Sequence, residues 1–219
     1  MPTDEPPIPD DFVLPPETCI IQGEHPRLVK LQSWDSMQHT MIIEYMPHGT
    51  LQQYIDNHYK DISRPLQLQW AQQAAEGLQL LHASNIIHCD IGPHNFLLDA
   101  LLNLKIADFS GSSVNGSCAL VCPRSRYRAP DPEWHPGKLP SFSEDLFALG
   151  SVLYFIFAGN SPFHKLEEEE VERNYEAGVF PDVSEVLCSD IFTLCWQQRA
   201  GSAHQIYEML SRLCVLENV

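Results

Sequence analysis

Between Leu66 and His82 the apolar residues Trp70, Ala71, Ala74, Ala75, Leu78 and Leu81 recur at intervals of three and four. That period puts them on one face and predicts an amphipathic helix. A second pattern is nearly continuous: LFALGSVLYFIFAG, 146–159, breaks its apolar run only with Gly and Ser, which predicts a helix buried on all sides. The run is too short to span a bilayer. Ser141 and Glu144 stand ahead of it at the spacing of a capping box. Further helices are predicted over TLQQYIDNH (50–58), 166–177, 184–196 and 202–214. The run Glu167–Glu170 sits where a helix's positive end favours acids and reads as a solvated first turn.

Strands are marked by β-forming residues between turns. LVKLQSW (28–34) and TMIIEYM (40–46) flank the polar DSMQH and predict an antiparallel pair, while FLLD (96–99) and NLKIADF (103–109) predict a second hairpin. From 110 to 140 the chain is rich in Ser, Gly, Pro and Arg with little periodicity; an irregular segment of this length in a compact domain carries function or moves. The order is two strands, a helix, two small strands, a long loop and then only helices. This is an α+β pattern.

Composition narrows the picture. The 219 residues, 44% of them hydrophobic, suffice for a real core. A formal charge of −16 repels phosphate backbones, which argues against a nucleic-acid partner. The seven cysteines are odd in number and include no Cys-x-x-Cys pair, so neither a disulfide framework nor a zinc knuckle is indicated. Cys118 and Cys122 are close enough to suggest a metal, but with no paired ligand set they read as ordinary thiols. A cytoplasmic or nuclear location fits this usage. The acidic, Pro-rich start MPTDEPPIPDDF is the opposite of a signal peptide, and residues 1–16 read as a disordered tail. No membrane association is expected.

The candidate chemistry lies in HCDIGPHN, 88–95, and ADFSG, 107–111. The first resembles the catalytic loop of eukaryotic protein kinases, H-R-D-x-x-x-x-N, at His88, Asp90 and Asn95; the second is similar to their D-F-G, at Asp108 and the same interval. Other matches extend from about Glu17 to the C-terminus. HPRLVKL resembles the strand entered by the kinase His-Pro-Asn turn, and IIEYMPHGTL the hinge that holds adenine. RYRAPDPEW resembles the A-P-E close of the activation segment, with Asp131 where Glu is usual, and SEDLFALGSVLYFIFAGNSPF the central helix of the large lobe. The motifs HCDI, NFLLD and DLFALGS are similar to kinase-like proteins of filamentous fungi.

The resemblance implies a protein-kinase-like fold, mainly the helical C-terminal lobe, with a two-strand remnant of the N-terminal lobe. Its divisions would be a tail over 1–16, remnant and hinge over 17–46, and large lobe over 47–219. It implies ATP and Mg²⁺ as cofactors. Asp90 would hold the acceptor hydroxyl, Asn95 and Asp108 would hold Mg²⁺ on the phosphates, the backbone of Glu44 and Met46 would meet adenine, and Leu97 would pack beneath the ring. Ile43 would be the gatekeeper. Asp145 would brace the catalytic loop, although by position alone a first-turn carboxylate serves as well.

The pattern also departs from the family. Residues 1–26 hold no Lys or Arg and a single Gly, Gly23, so neither the Gly-rich loop nor the strand lysine is expected there. Glu17 could stand for the helix Glu, but an ordinary first-turn role describes it as well. Gly92 replaces the lysine that touches the transferred phosphate, Ser110 the Gly of D-F-G, Cys89 the Arg that receives an activation-loop phosphate, and Arg124 the Thr that supports the catalytic Asp. Arg124, Arg126 and Arg128 form a basic cluster suited to an acidic peptide or, equally, to loop carbonyls and solvent. Electrostatic stabilisers of phosphoryl transfer contribute a thousandfold or more each, roughly 4 kcal/mol. The expectation is ATP-dependent transfer to protein Ser/Thr, or Tyr, hydroxyls, weakened or lost. The rivals are a pseudokinase that binds a protein partner and, last, a helical scaffold with no nucleotide site. The uncovered strand pair predicts self-association.

Overall fold

The computed structural model describes residues 25–131, 135 and 138–217; the expected tail over 1–16 and Glu17 lie outside them. Six helices carry most of the body: α1 Leu51–His58, α2 Arg64–Ala83, α3 Phe142–Ala158, α4 Glu168–Glu176, α5 Ser189–Trp196 and α6 Ala203–Glu217. The strands form three antiparallel pairs. β1 (Leu31–Asp35) pairs with β2 (Thr40–Ile43), β3 (Ile86–Ile87) with β6 (Ser113–Val114), and β4 (Phe96–Leu98) with β5 (Leu104–Ile106). The architecture is α+β, a helical lobe with a small sheet.

The buried helix is α3, in which every residue from Asp145 to Phe157 is buried. Gly159 ends it in the left-handed region at φ 73°, a conformation glycine adopts without strain. Helix α2 starts from Ser63, whose hydroxyl accepts the Leu66 N–H, with Pro65 in the first turn, and it packs on α3 and α6. The core centres on fully buried Trp70, Phe96, Phe147, Phe155, Phe192 and Trp196.

Local chemistry moves several boundaries. The capping box expected at Ser141 is not made: the Ser141 hydroxyl turns to Ser143 Oγ at 2.8 Å and Glu144 Oε1 at 3.2 Å, and no side chain caps α3. A capping box forms instead at α1, where Thr50 accepts the Gln53 N–H and the Gln53 side chain accepts the Thr50 N–H. The helix expected from 184 starts at Ser189. Asp182 accepts the Ser184 N–H at 3.0 Å and Val183 the Val186 N–H, so turns occupy the earlier residues, and Cys188 enters α5 at φ 61°.

The first strand pair is shorter than expected because residues 27–29 pair elsewhere. Val29 N–H donates to Ile106 at 2.9 Å and Ile106 N–H to Arg27 at 2.8 Å, which ties this segment to β5. Arg27 also meets Glu76 of α2 at 3.2 Å. The β1–β2 pair beyond is open: Met41 is 60% exposed and Ile43 40%. Among the described residues no helix is long and apolar enough to cross a membrane, and the six cysteines there are all free.

Candidate functional site

Two pairings frame the loop that carries Asp90. Short β3 feeds it and is held by β6, and Asn85 and Asn115 bond across the same junction through backbone and side chain. At its far end the chain enters β4. Phe96 and Leu98 face the main core, while Leu97 points to the opposite face and packs with Val29, Met46 and Ala107 in a small separate apolar cluster. Segment 48–50 runs beside β4, with Leu98 N–H donating to Gly49 at 3.0 Å, which ties it to the strand.

The loop is braced from below by Asp145, which is 1% exposed. Its Oδ2 accepts the His88 N–H at 2.7 Å and meets His82 Nε2 at 3.1 Å; its Oδ1 accepts the Cys89 N–H at 3.0 Å. A buried carboxylate is tolerable with this many donors. The bonds also hold Cys89 at φ 66°, a conformation strained for any residue but glycine. Burial, reinforced by the Asp145 charge, pushes the Cys89 thiol up to about 12, so this thiol is inert at neutral pH. His88 links the two motifs. Its Nε2 meets the Ala107 carbonyl at 3.0 Å, which requires hydrogen on Nε2, and its Nδ1 then accepts the Asp90 N–H at 3.3 Å.

Asp90 and Asn95 meet directly. Asn95 Nδ2 donates to Asp90 Oδ2 at 2.9 Å and to the Asp90 carbonyl at 2.8 Å. His94 Nε2 lies 3.3 Å from the same Oδ2. Among the described residues Oδ1 of Asp90 has no hydrogen-bond partner, and neither has Oδ1 of Asn95. The Asn95 carbonyl accepts the Ala107 N–H at 2.8 Å, so Asp108 follows one residue beyond a bond to the loop. Asp108 is exposed, at φ 59°, and its own carboxylate does not bond Asp90 or Asn95: Oδ1 accepts the Ser110 hydroxyl at 2.6 Å. Phe109 packs edge-on against His88, with ring centroids 5.4 Å apart.

At the hinge, Glu44 N–H donates to Lys30, and Met46 accepts the Gly49 N–H. The Glu44 carbonyl and the Met46 N–H make no hydrogen bond among the described residues. The Glu44 carboxylate is taken by Lys105 Nζ at 2.7 and 2.8 Å and by the Lys30 N–H at 2.7 Å. The sequence reading missed this lysine, Val29, Ala107 and the contact of His94. Alternation in LVKL and LKIA carries a signal for Val29 and Lys105; the His94 contact needs the turn geometry of residues 92–95.

Two of the three arginines of the basic cluster bond internally. Arg126 donates to the carbonyls of Phe163 and Leu166, and Arg128 pairs with Glu172. A cavity of about 580 Å³ between this segment and α4 is lined by Val121, Cys122, Arg128, Glu172 and Tyr175 among others, and by none of Asp90, Asn95 or Asp108.

A braced His-x-Asp loop, an Asp-Phe turn bonded to it and a small apolar cluster of Val29, Met46, Leu97 and Ala107 stand side by side. The family model of the protein kinase domain matches residues 17–217, and the chain belongs to that family. It is similar to the Aurora/IPL1-related protein kinase 2 of Caenorhabditis elegans, 31% identical over 157 residues that cover 70% of this chain and 50% of that protein. It is similar also to the G-type lectin S-receptor-like serine/threonine-protein kinase SD2-2 of Arabidopsis thaliana, 30% identical over 158 residues, 65% of this chain and 19% of the relative. With the dual specificity protein kinase pyk3 of Dictyostelium discoideum the identity is 23% over 209 residues, 93% of this chain and 16% of the relative. The chain spans about half the length, or less, of these curated relatives.

Proposed function

We propose that this chain binds a magnesium nucleotide and supports ATP-dependent phosphoryl transfer to protein Ser or Thr hydroxyls at a low rate. The observation that carries the reading is the joining of Asp90, Asn95 and the Asp108 segment: the Asp90–Asn95 bond at 2.9 Å, with Ala107 N–H on the Asn95 carbonyl at 2.8 Å. The donor set suits Mg²⁺, since Asn95 Oδ1 and the Asp108 carboxylate are hard oxygens, and this ion keeps phosphate and water oxygens for its remaining positions. When bound, it would neutralise and align the phosphate oxygens.

The chain's own residues then have distinct tasks. Asp90 Oδ1 accepts the hydrogen of the acceptor hydroxyl and aims its oxygen at the terminal phosphorus. The Glu44 carbonyl and Met46 N–H offer one acceptor and one donor to the adenine edge. Leu97, Val29 and Ala107 give the ring an apolar seat. The low rate follows from position 92, where glycine offers the transferred phosphate no cation. A protein substrate, a reducing cytoplasmic or nuclear setting and the divisions 1–16, 17–46 and 47–219 belong to the same proposal.

A second reading, a pseudokinase acting as a protein-interaction module, is favoured by the open β1–β2 pair, whose apolar side chains suit association with another copy or partner. Thermal unfolding with and without MgATP separates the two. At tenfold over Kd the ligand adds about 1.4 kcal/mol, a few degrees in Tm, and Asp108→Asn removes the gain. No shift at 10 mM nucleotide, taken as roughly tenfold over a millimolar Kd, ends the nucleotide reading. With a shift in hand, phosphate transfer abolished by Asp90→Asn identifies the enzyme.

A further inference from the structure

Gly92, His94 and Asp90 form a unit that neither the family pattern nor the proposed function requires. Residues 92–95 close a turn, with Asn95 N–H donating to the Gly92 carbonyl at 2.9 Å and Pro93 at the position where its fixed φ suits a turn. The Pro93 carbonyl accepts the Gln52 N–H of α1 at 3.0 Å, which anchors the turn to the helical body. His94 therefore leaves a fixed backbone, and its ring folds back over residue 92 to place Nε2 3.3 Å from Asp90 Oδ2.

Gly92 is not among the residues at positive φ, so the backbone does not demand glycine there. Space does. A Cβ at 92 would lie 2.6 Å from His94 Cε1 and 2.8 Å from Nδ1, closer than such atoms come. The missing side chain is the room the imidazole occupies.

We infer that His94 is a positioning residue for Asp90, admitted to its carboxylate by glycine at 92; this rests on the reading of Asp90 as the group that holds the acceptor hydroxyl. A carboxylate oxygen only accepts, so the contact places hydrogen on Nε2. Asn95 and His94 then bring two donors to one oxygen, Oδ2, and the carboxylate is held with Oδ1 free for the acceptor. The substitution that removes a phosphate-binding cation thus supplies a second orienting donor.

The test uses the full chain without nucleotide. His94→Ala is expected to lower Tm by about 1–3 °C, the scale of a partly exposed pair, and to lower it not at all in the Asp90→Ala background, which leaves the ring no acceptor. In ¹⁵N NMR spectra the Asn95 side-chain amide signals should move in His94→Ala and in Gly92→Ala, which keeps the ring but expels it. His94→Gln, whose amide can donate, should return them. Additive Tm changes, or an Asn95 amide indifferent to both variants, overturn the inference. The MgATP shift of the unsubstituted chain, run alongside, tests the acceptor reading separately: its absence removes that reading while the 94–90 coupling is still decided by the cycle.

Discussion

Asp145 and Asp99 illustrate how one carboxylate can hold a loop by accepting several backbone hydrogens. Asp145 satisfies two N–H groups and meets an imidazole in a site sealed from water. Asp145→Asn removes one acceptor and turns an amide donor towards donors, so a loss of about 2–4 kcal/mol is expected, seen as a Tm lower by about 5–15 °C. Asp99 closes the β4–β5 turn by accepting the N–H groups of Leu101 at 2.8 Å and Asn103 at 2.9 Å. Against a burial penalty that acts upward, these bonds and the Asn103 side chain hold its carboxyl below the usual range. A folded-state pKa below the unfolded value gives stability above the unfolded pKa that is lost as pH falls through the folded one. Asp99→Ala should therefore be clearly less stable than the parent at pH 7, and the gap should shrink in denaturant titrations as pH falls through the carboxylate range. Thiols follow burial. Cys89 and Cys195 are both pushed up to about 12, so alkylation at pH 8 followed by peptide mapping should label exposed Cys118 and Cys122 and spare these two.

Elements differ in how far their residues foretell them. The three-and-four spacing of α2 and the apolar run of α3 are legible because each reflects burial of a whole face, and the β4–β5 hairpin because β-formers flank a turn. The ladder between Ile86–Ile87 and Ser113–Val114 is not legible: two residues a side carry no period, and the partners are joined only once the loop between them folds. The same holds within the site. Asp90, Asn95 and Asp108 are marked by residue type at fixed intervals, whereas Lys105 on Glu44, Ser110 on Asp108 and His94 on Asp90 arise from turns and strand faces that bring unlike neighbours together. Packing can even reverse a local preference. Gly150 sits inside α3, where propensity alone would favour Ala by about 1 kcal/mol. Yet a Cβ there would stand 2.6 Å from Cys195 Cβ and 3.1 Å from the Phe192 carbonyl on α5. Overpacking of a well-filled interface costs about 1–3 kcal/mol, so Gly150→Ala should lower Tm, not raise it, in calorimetry.

At the scale of the molecule two forces act on association, and their ranges decide which wins. The formal charge of −16 repels a second copy over distances set by the Debye length, about 30 Å at 0.01 M salt and about 8 Å at 0.15 M. The attraction is short-ranged. On the association reading it comes from the open β1–β2 pair, where Met41 and Ile43 are exposed beside Met37 at 90% and Tyr45 at 85%. In dilute buffer, repulsion keeps copies apart before the strands can touch; in moderate salt it is screened to roughly the span of a contact, and apolar burial is unaffected. On the association reading, the mass measured by light scattering should therefore rise with ionic strength, the reverse of an assembly held by ion pairs. Met41→Lys with Ile43→Lys places two cations on the sheet, removes the apolar gain and should leave the chain monomeric at every salt concentration. A mass that falls with salt, or one that the double substitution leaves unchanged, would place the contact elsewhere on the acidic surface.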